Sequence, residues 1–184
     1  MNKIIAFILL ILCLPPLCIL GLVILVVEQK SPLFIQNRIG KNKVVFKLIK
    51  IRTMKNSKVT FIGSILRKTG IDEIPQLINI LKGEMNFIGP RPLTQNDIER
   101  LGWESEFYFK RWSVNPGLTG LAQLSPICHK KVSIFYDLYY VKNRTIILDF
   151  KILFMSLLVI IFGKQNVKNT ISKRQNKKRS FYQK

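Results

Sequence analysis

Thr69-Gly70-Ile71-Asp72-Glu73-Ile74-Pro75-Gln76-Leu77-Ile78-Asn79-Ile80-Leu81-Lys82-Gly83, followed closely by Gly89-Pro90-Arg91-Pro92, is the stretch from which the rest of the chain is read. Ile71, Ile74, Leu77, Ile78 and Leu81 recur at helical spacing and form one buried stripe. Gly83 stops the helix, with Lys82 in its last turn against the negative end of the dipole. Pro75 is tolerated only in a first turn, where its missing amide leaves no carbonyl unpaired. Asp72 and Glu73 therefore belong at or just before the helix N-terminus. Neighbouring helical positions point about 100° apart, so the two carboxylates cannot hide in one core. Carboxylates at helix starts are common caps, and taken alone the pair reads that way. Its surroundings argue for more. Two prolines fix the backbone around Arg91, and an anionic pair beside a rigid cation suits a metal-bound phosphate.

The chain has 184 residues, enough for one domain of ordinary size with attachments. Its formal net charge is +20, from 30 Lys+Arg against 10 Asp+Glu, and 48% of it is hydrophobic. A chain both this apolar and this basic points to a membrane surface before nucleic acid. An anionic leaflet attracts each Lys or Arg near it by about 1 kcal/mol. Cys13, Cys18 and Cys128 make neither a disulfide framework nor a metal-ligand pattern. With His129 the single histidine, zinc chemistry and a His-based triad fall away.

Further along, a series of short motifs occurs in order. These are Gln36-Asn37-Arg38-Ile39-Gly40, Lys50-Ile51-Arg52-Thr53-Met54, Asp72 through Met85, Gly89 through Leu93, Arg111 through Gln123, Tyr136 through Asn143 and Leu148 through Ile152. Together they resemble the core of the bacterial sugar transferases, the small monotopic polyprenyl-phosphate phosphoglycosyl transferases, over most of residues 30 to 153. Departures are local. Pro15-Pro16 stands where the family has Ser-Pro, and the loop after Met54 shrinks to Lys55-Asn56-Ser57-Lys58. Asn115 replaces an arginine, and Leu124-Ser125-Pro126 replaces Val-Asn-Gly, which leaves the donor's identity open.

Ile4 to Val27 is apolar except at Pro15-Pro16 and Gly21. At about 1.5 Å per residue a straight helix here crosses the roughly 30 Å hydrocarbon core. Two prolines near its middle argue against straightness, at about 3 kcal/mol or more apiece in a helix interior. No small-residue cleavage site follows, which disfavours a signal peptide. A kinked spanning helix and a re-entrant helix–break–helix remain, and the resemblance implies re-entry. Lys30, Arg38, Lys41, Lys43, Lys47, Lys50 and Arg52 form a positive flank that keeps the rest of the chain in the cytoplasm.

Leu33–Gln36 and Val44–Ile49 read as strands joined at Gly40-Lys41-Asn42, and Val59–Lys68 as a short amphipathic helix. Thr94 with Asp97 signals a capped helix running to about Arg111. Trp103, Phe107, Phe109 and Trp112 suit either a core or the headgroup level. Ile152–Gly163 is apolar but too short to span, so an interfacial helix fits best. Lys164–Lys184 reads as a disordered basic tail on anionic lipid; nucleic-acid binding is its rival, though nothing else in the chain reads bases. The expected architecture is thus α+β, with a small antiparallel β-hairpin and several amphipathic or interfacial helices on a re-entrant membrane helix. Residues 1–29 form the anchor broken at Pro15-Pro16, 30–163 the cytoplasmic membrane-associated catalytic domain, and 164–184 the tail.

The resemblance implies a reaction at the bacterial inner membrane. A nucleoside diphosphate sugar, with UDP expected, gives its phosphosugar to polyprenyl (undecaprenyl) phosphate, releases nucleoside monophosphate, and so initiates surface glycan assembly. By that analogy Asp72 is the nucleophile of a phosphosugar-aspartyl intermediate. Glu73 holds Mg²⁺ with Asp72 or assists proton transfer. Arg91 binds phosphate, with Arg111, Arg38 and Arg52 as further candidates, the last two being equally readable as solvated strand-edge charge. Two rivals stay open: a membrane scaffold of a glycan-assembly complex without turnover, and direct transfer without a covalent intermediate.

Overall fold

The computed structural model describes residues 2–125 and 130–162; the expected tail lies outside them. Helix α1 runs from Asn2 to Glu28 as one element with Pro15 and Pro16 inside it. The expected helix–break–helix is therefore not an interruption of the helix. Proline's own φ is helical, and what is lost is the pair of amides that would reach the carbonyls of Ile11 and Leu12. It is the one helix among the described residues long and apolar enough to cross a membrane. Yet both halves of it rest on the body of the protein. Ala6, fully buried, packs with Phe46, Leu48, Leu77, Ile80 and Met85. Ile24, also fully buried, packs with Ile51 and Leu66. Near its start Asn2 Nδ2 donates to Asn86 Oδ1 at 3.4 Å. Ile4, Phe7, Ile11, Leu12, Leu22 and Val26 stay exposed.

The expected hairpin is present as β1 (Leu33–Ile39) and β2 (Val45–Ile51), antiparallel, with Phe34 opposite Lys50, Gln36 opposite Leu48 and Arg38 opposite Phe46. Residues directly opposite share a face, so Gln36, Arg38, Leu48 and Lys50 project from the same side. A two-residue pair, β3 (Met54–Lys55) with β4 (Lys58–Val59), closes the short loop before helix α2 (Phe61–Thr69), which Thr60 caps.

Gly70, at φ 73°, ends α2 and turns the chain into the organising stretch. That stretch is not one helix. Ile71–Gln76 is a 3₁₀ segment, and only Leu77–Lys82 is α-helical (α3). Pro75 has no amide for the Ile71 carbonyl, so the first turns tighten instead. Asp72 and Glu73 still precede the α-helix, as the sequence requires. Asn79, fully buried, ties α3 to the free edge of β2. Its Oδ1 accepts from Ile49 N at 3.2 Å, and its Nδ2 donates to Lys47 O at 2.7 Å and to Glu84 Oε2 at 2.6 Å. One carboxamide thus completes the ladder as a neighbouring strand would.

Strand β5 (Asn86–Ile88) pairs in parallel with β6 (Gly117–Thr119). A Cβ on Gly89 would come 2.5 Å from Asn115 O, so the backbones cross there only because Gly89 lacks one. Thr94 and Asp97 form a capping box on α4 (Gln95–Leu101), and Gly102 at φ 69° ends the helix well before Arg111. A 3₁₀ segment, Glu106–Ser113, follows. The aromatic question divides: Trp103 and Trp112 are buried with Ile39, Leu93 and Ile98, while Phe107 and Phe109 are exposed. A short α5 (Leu121–Leu124) leads to α6 (Lys130–Asn143) and α7 (Ile146–Phe162). Tyr140 Oη donates to Asp149 Oδ1 at 2.8 Å, and Ile152 is the fully buried residue of a partly exposed, apolar α7.

Candidate active site

Lys50 and Arg38 come from the shared face of the hairpin, which packs on the 3₁₀ segment carrying Asp72 and Glu73. Glu73 lines a shallow pocket with Arg38, Lys50, Gln76, Arg91 and Gln123. Asp72, only 7% exposed, lies one position earlier and is not part of that lining. Burial pushes the carboxyls of both Asp72 and Glu73 above their ordinary value. Lys50 opposes this at both groups, Arg67 also at Asp72, and Arg91 also at Glu73. Burial in turn lowers the Lys50 ammonium, which the two carboxylates counteract. The result is a desolvated pair of acids acted on by three cations, Lys50, Arg67 and Arg91.

Each predicted arginine has its own place. Arg91 is exposed, lines the pocket, and among the described residues makes no ion pair or side-chain hydrogen bond. Arg38 also lines it; its Nη1 donates to Pro92 O at 3.2 Å and to Asp97 Oδ2 at 3.3 Å, its Nη2 to Gln36 Oε1 at 2.8 Å, and its buried Nε has no partner. Arg52 is elsewhere: it donates to the carbonyls of Ser31 and Leu33 at the start of β1. Arg111 is not at the pocket surface either. It is 2% exposed and paired through Nε with Asp137 Oδ2 at 2.8 Å. Its burial turns it inward: Nε donates to Asp137 and Nη2 to the Arg91 carbonyl.

Two groups escaped sequence reasoning as site residues. In the sequence Lys50 stands as flanking charge and as the first residue of the Lys50–Met54 motif; only the longer observed strands, Leu33–Ile39 and Val45–Ile51, put it on the face of Arg38 and Leu48. Arg67 gave no such signal. It sits in α2, its Nε donating to Thr53 Oγ1 at 2.9 Å, and comes near Asp72 only through tertiary packing.

No group of three or more His, Cys, Asp or Glu side chains gathers among the described residues. Two adjacent carboxylates among cations do not form a cage for a bare divalent ion. Mg²⁺, however, is commonly held by one or two carboxylates plus phosphate oxygens, and Asp72 with Glu73 fits that donor set when an anionic ligand is present. The arrangement therefore gathers Arg91, Arg38 and Lys50 around Glu73 at one pocket, a cationic setting suited to an anionic group, with Asp72 buried one position earlier.

The family model for bacterial sugar transferases matches residues 1–163. The chain is 35% identical over 168 residues to the UDP-N-acetylgalactosamine-undecaprenyl-phosphate N-acetylgalactosaminephosphotransferase of Aeromonas hydrophila, covering 80% of this chain and 40% of that protein. It is 34% identical over 153 residues to the exopolysaccharide production protein ExoY of Sinorhizobium fredii, covering 65% and 66%. It is 30% identical over 177 residues to the UDP-glucose:undecaprenyl-phosphate glucose-1-phosphate transferase of Escherichia coli, covering 85% and 38%. The chain thus spans less than two thirds of the length of each of these relatives.

Proposed function

The chain belongs to the bacterial sugar transferase family, and from that premise we propose that it transfers a phosphosugar from a nucleoside diphosphate sugar to a polyprenyl phosphate. The observation that carries the reading is the acid pair on its 3₁₀ turn, with Lys50, Arg67 and Arg91 acting on it and Arg38 lining the same pocket as Glu73. Relatives are named for UDP-linked sugars and for undecaprenyl phosphate, which makes these the first donor and acceptor to try. Nucleoside monophosphate is the leaving group, and the product is a lipid-linked phosphosugar that starts glycan assembly.

Arg91 and Arg38 neutralise the donor's diphosphate and set its phosphorus before the acids. Asp72 attacks that phosphorus, the bond to the nucleoside monophosphate breaks, and the phosphosugar remains as an acyl phosphate on Asp72. An oxygen of polyprenyl phosphate then attacks the same phosphorus and frees the carboxylate. Burial favours this role, since a carboxylate with a raised pKa is a stronger base and nucleophile than a solvated one. Glu73, lying in the pocket wall, holds the acceptor's proton or a metal. Mg²⁺ entering with the diphosphate would be held by Asp72 and Glu73, and when bound it supplies further neutralisation of phosphate charge.

The acceptor's chain cannot leave the bilayer, so the site must stay at headgroup height. The exposed apolar faces of α1 and α7 support that placement. Because both halves of α1 touch the body, entry and exit on the cytoplasmic face of the inner membrane suits this geometry better than crossing.

Screening nucleotide sugars for monophosphate release with polyprenyl phosphate in nanodiscs tests the activity. Mass spectrometry after donor alone tests the intermediate, which should appear as a phosphosugar adduct on the Asp72 peptide. Its absence together with normal turnover would leave direct transfer as the mechanism; no turnover with any donor would leave the scaffold reading.

A further inference from the structure

Three successive carbonyls of the Pro90-Arg91-Pro92 turn are held by donors from three parts of the chain. Gly117 N donates to Pro90 O at 2.9 Å, Arg111 Nη2 to Arg91 O at 2.6 Å, and Arg38 Nη1 to Pro92 O at 3.2 Å. Both arginines are braced by carboxylates, Arg38 by Asp97 and Arg111 by Asp137. The second pair is enclosed: Arg111 and Asp137 are 2% and 3% exposed, and the guanidinium carbon lies 4.5 Å from the Trp112 ring centroid and 5.5 Å from that of Trp103.

Stability does not account for such a pair, because apolar side chains of similar volume often serve as well or better in a buried setting. What apolar side chains cannot do is donate to a backbone carbonyl. Pro92 already confines Arg91 to extended backbone, and the bond from Arg111 Nη2 to the Arg91 carbonyl holds that carbonyl at one direction within the allowed range. We propose that Arg111, oriented by Asp137, is a positioning residue that fixes the Arg91 turn so that the Arg91 guanidinium stands at the pocket opposite Glu73, ready for phosphate. The proposal rests on the phosphosugar-transfer reading of the same site.

Two variants separate this role from simple support of the fold. Arg111→Lys keeps a charge beside Asp137, but one ammonium cannot span Asp137 and Arg91 O as the guanidinium fork does. Arg111→Met/Asp137→Leu removes both charges and puts an apolar pair in their place. Each is made in wild-type and in Arg91→Ala protein, and read by turnover with nucleotide sugar and by amide exchange without ligand. The expected result is a loss of about 10- to 100-fold in kcat/KM in wild-type protein and no further loss in Arg91→Ala. Exchange should quicken in the 89–93 segment and stay unchanged around Ile49 and Asn79. An equal loss in both backgrounds, or unaltered exchange at 89–93, overturns the proposal. If wild-type protein turns over no nucleotide sugar yet exchange changes as expected, the functional reading fails and the positioning role stands.

Discussion

Asp72 and Glu73 differ in what surrounds them, and that difference predicts how they respond to change. Asp72→Asn keeps the shape and removes no cap, since Gly70 and Gln76 hold the cap positions, so the melting temperature should stay close to wild type while turnover falls by three orders of magnitude or more, about the loss seen when a nucleophile is removed. Turnover near the wild-type rate would instead remove Asp72 from the mechanism. Because burial raises both acids, kcat/KM should fall on acidification at a pH above the ordinary carboxylate range. Lys50 lowers both values, so Lys50→Gln should move that acid limb to higher pH; a limb that stays in place removes Lys50 from the electrostatics of the site. The linkage to stability has the opposite sense. A raised carboxyl pKa means the folded state binds the proton more tightly, so this contribution is present at low pH. It is lost as pH rises from the ordinary value through the raised one. In Asp72→Asn that part of the pH dependence should disappear from a melting series.

Asn79 decides the geometry at the level of elements. The amide and carbonyl it satisfies on β2 sit where a third strand would be, and without it the hairpin and α3 would not keep their spacing. Asn79→Leu leaves the half-buried Ile49 N and Lys47 O without that partner, at about 1 kcal/mol per lost hydrogen bond. Thermal melting in detergent should show a drop of several degrees, with kcat/KM reduced as Lys50 shifts against Glu73. Thr94→Ala tests a different contact. It removes a cap worth about 1 kcal/mol from α4, and should lower stability while leaving kcat/KM within about twofold, since Asp97 still reaches Arg38.

For the whole molecule the question is how α1 meets the bilayer. Asn2 touches Asn86, while Gly21 and Ile24 sit against Pro32 and Ile51, so the body of the protein contacts the helix near both of its ends. A cysteine introduced at position 2 in intact cells should resist a membrane-impermeant reagent and react only after permeabilisation. Labelling from outside would establish a crossing helix. Replacing Pro15 and Pro16 by alanine restores two amide donors and straightens the helix. If the double variant keeps the same labelling pattern, contacts with the body set the topology and the prolines do not.

Periodicity and residue chemistry were sufficient for much of this protein. The hairpin, the capped α4, the Gly83 stop and the placement of Asp72-Glu73 ahead of α3 follow from local rules, which act over a few residues and are written in them. Arg91 was legible for the same reason, as a cation locked between two prolines. The parallel β5–β6 pair, the Asn79 clamp, the approach of Lys50 and Arg67 to the acids, and the burial of Arg111 were not. Each joins segments far apart in the chain, and a side chain's charge does not say whether it will face solvent, substrate or a buried partner. Arg91 and Arg111 are the same residue type within one motif series; desolvation against Trp103, Trp112 and Asp137 gives Arg111 an internal role, and only the packing of the chain on itself decides that.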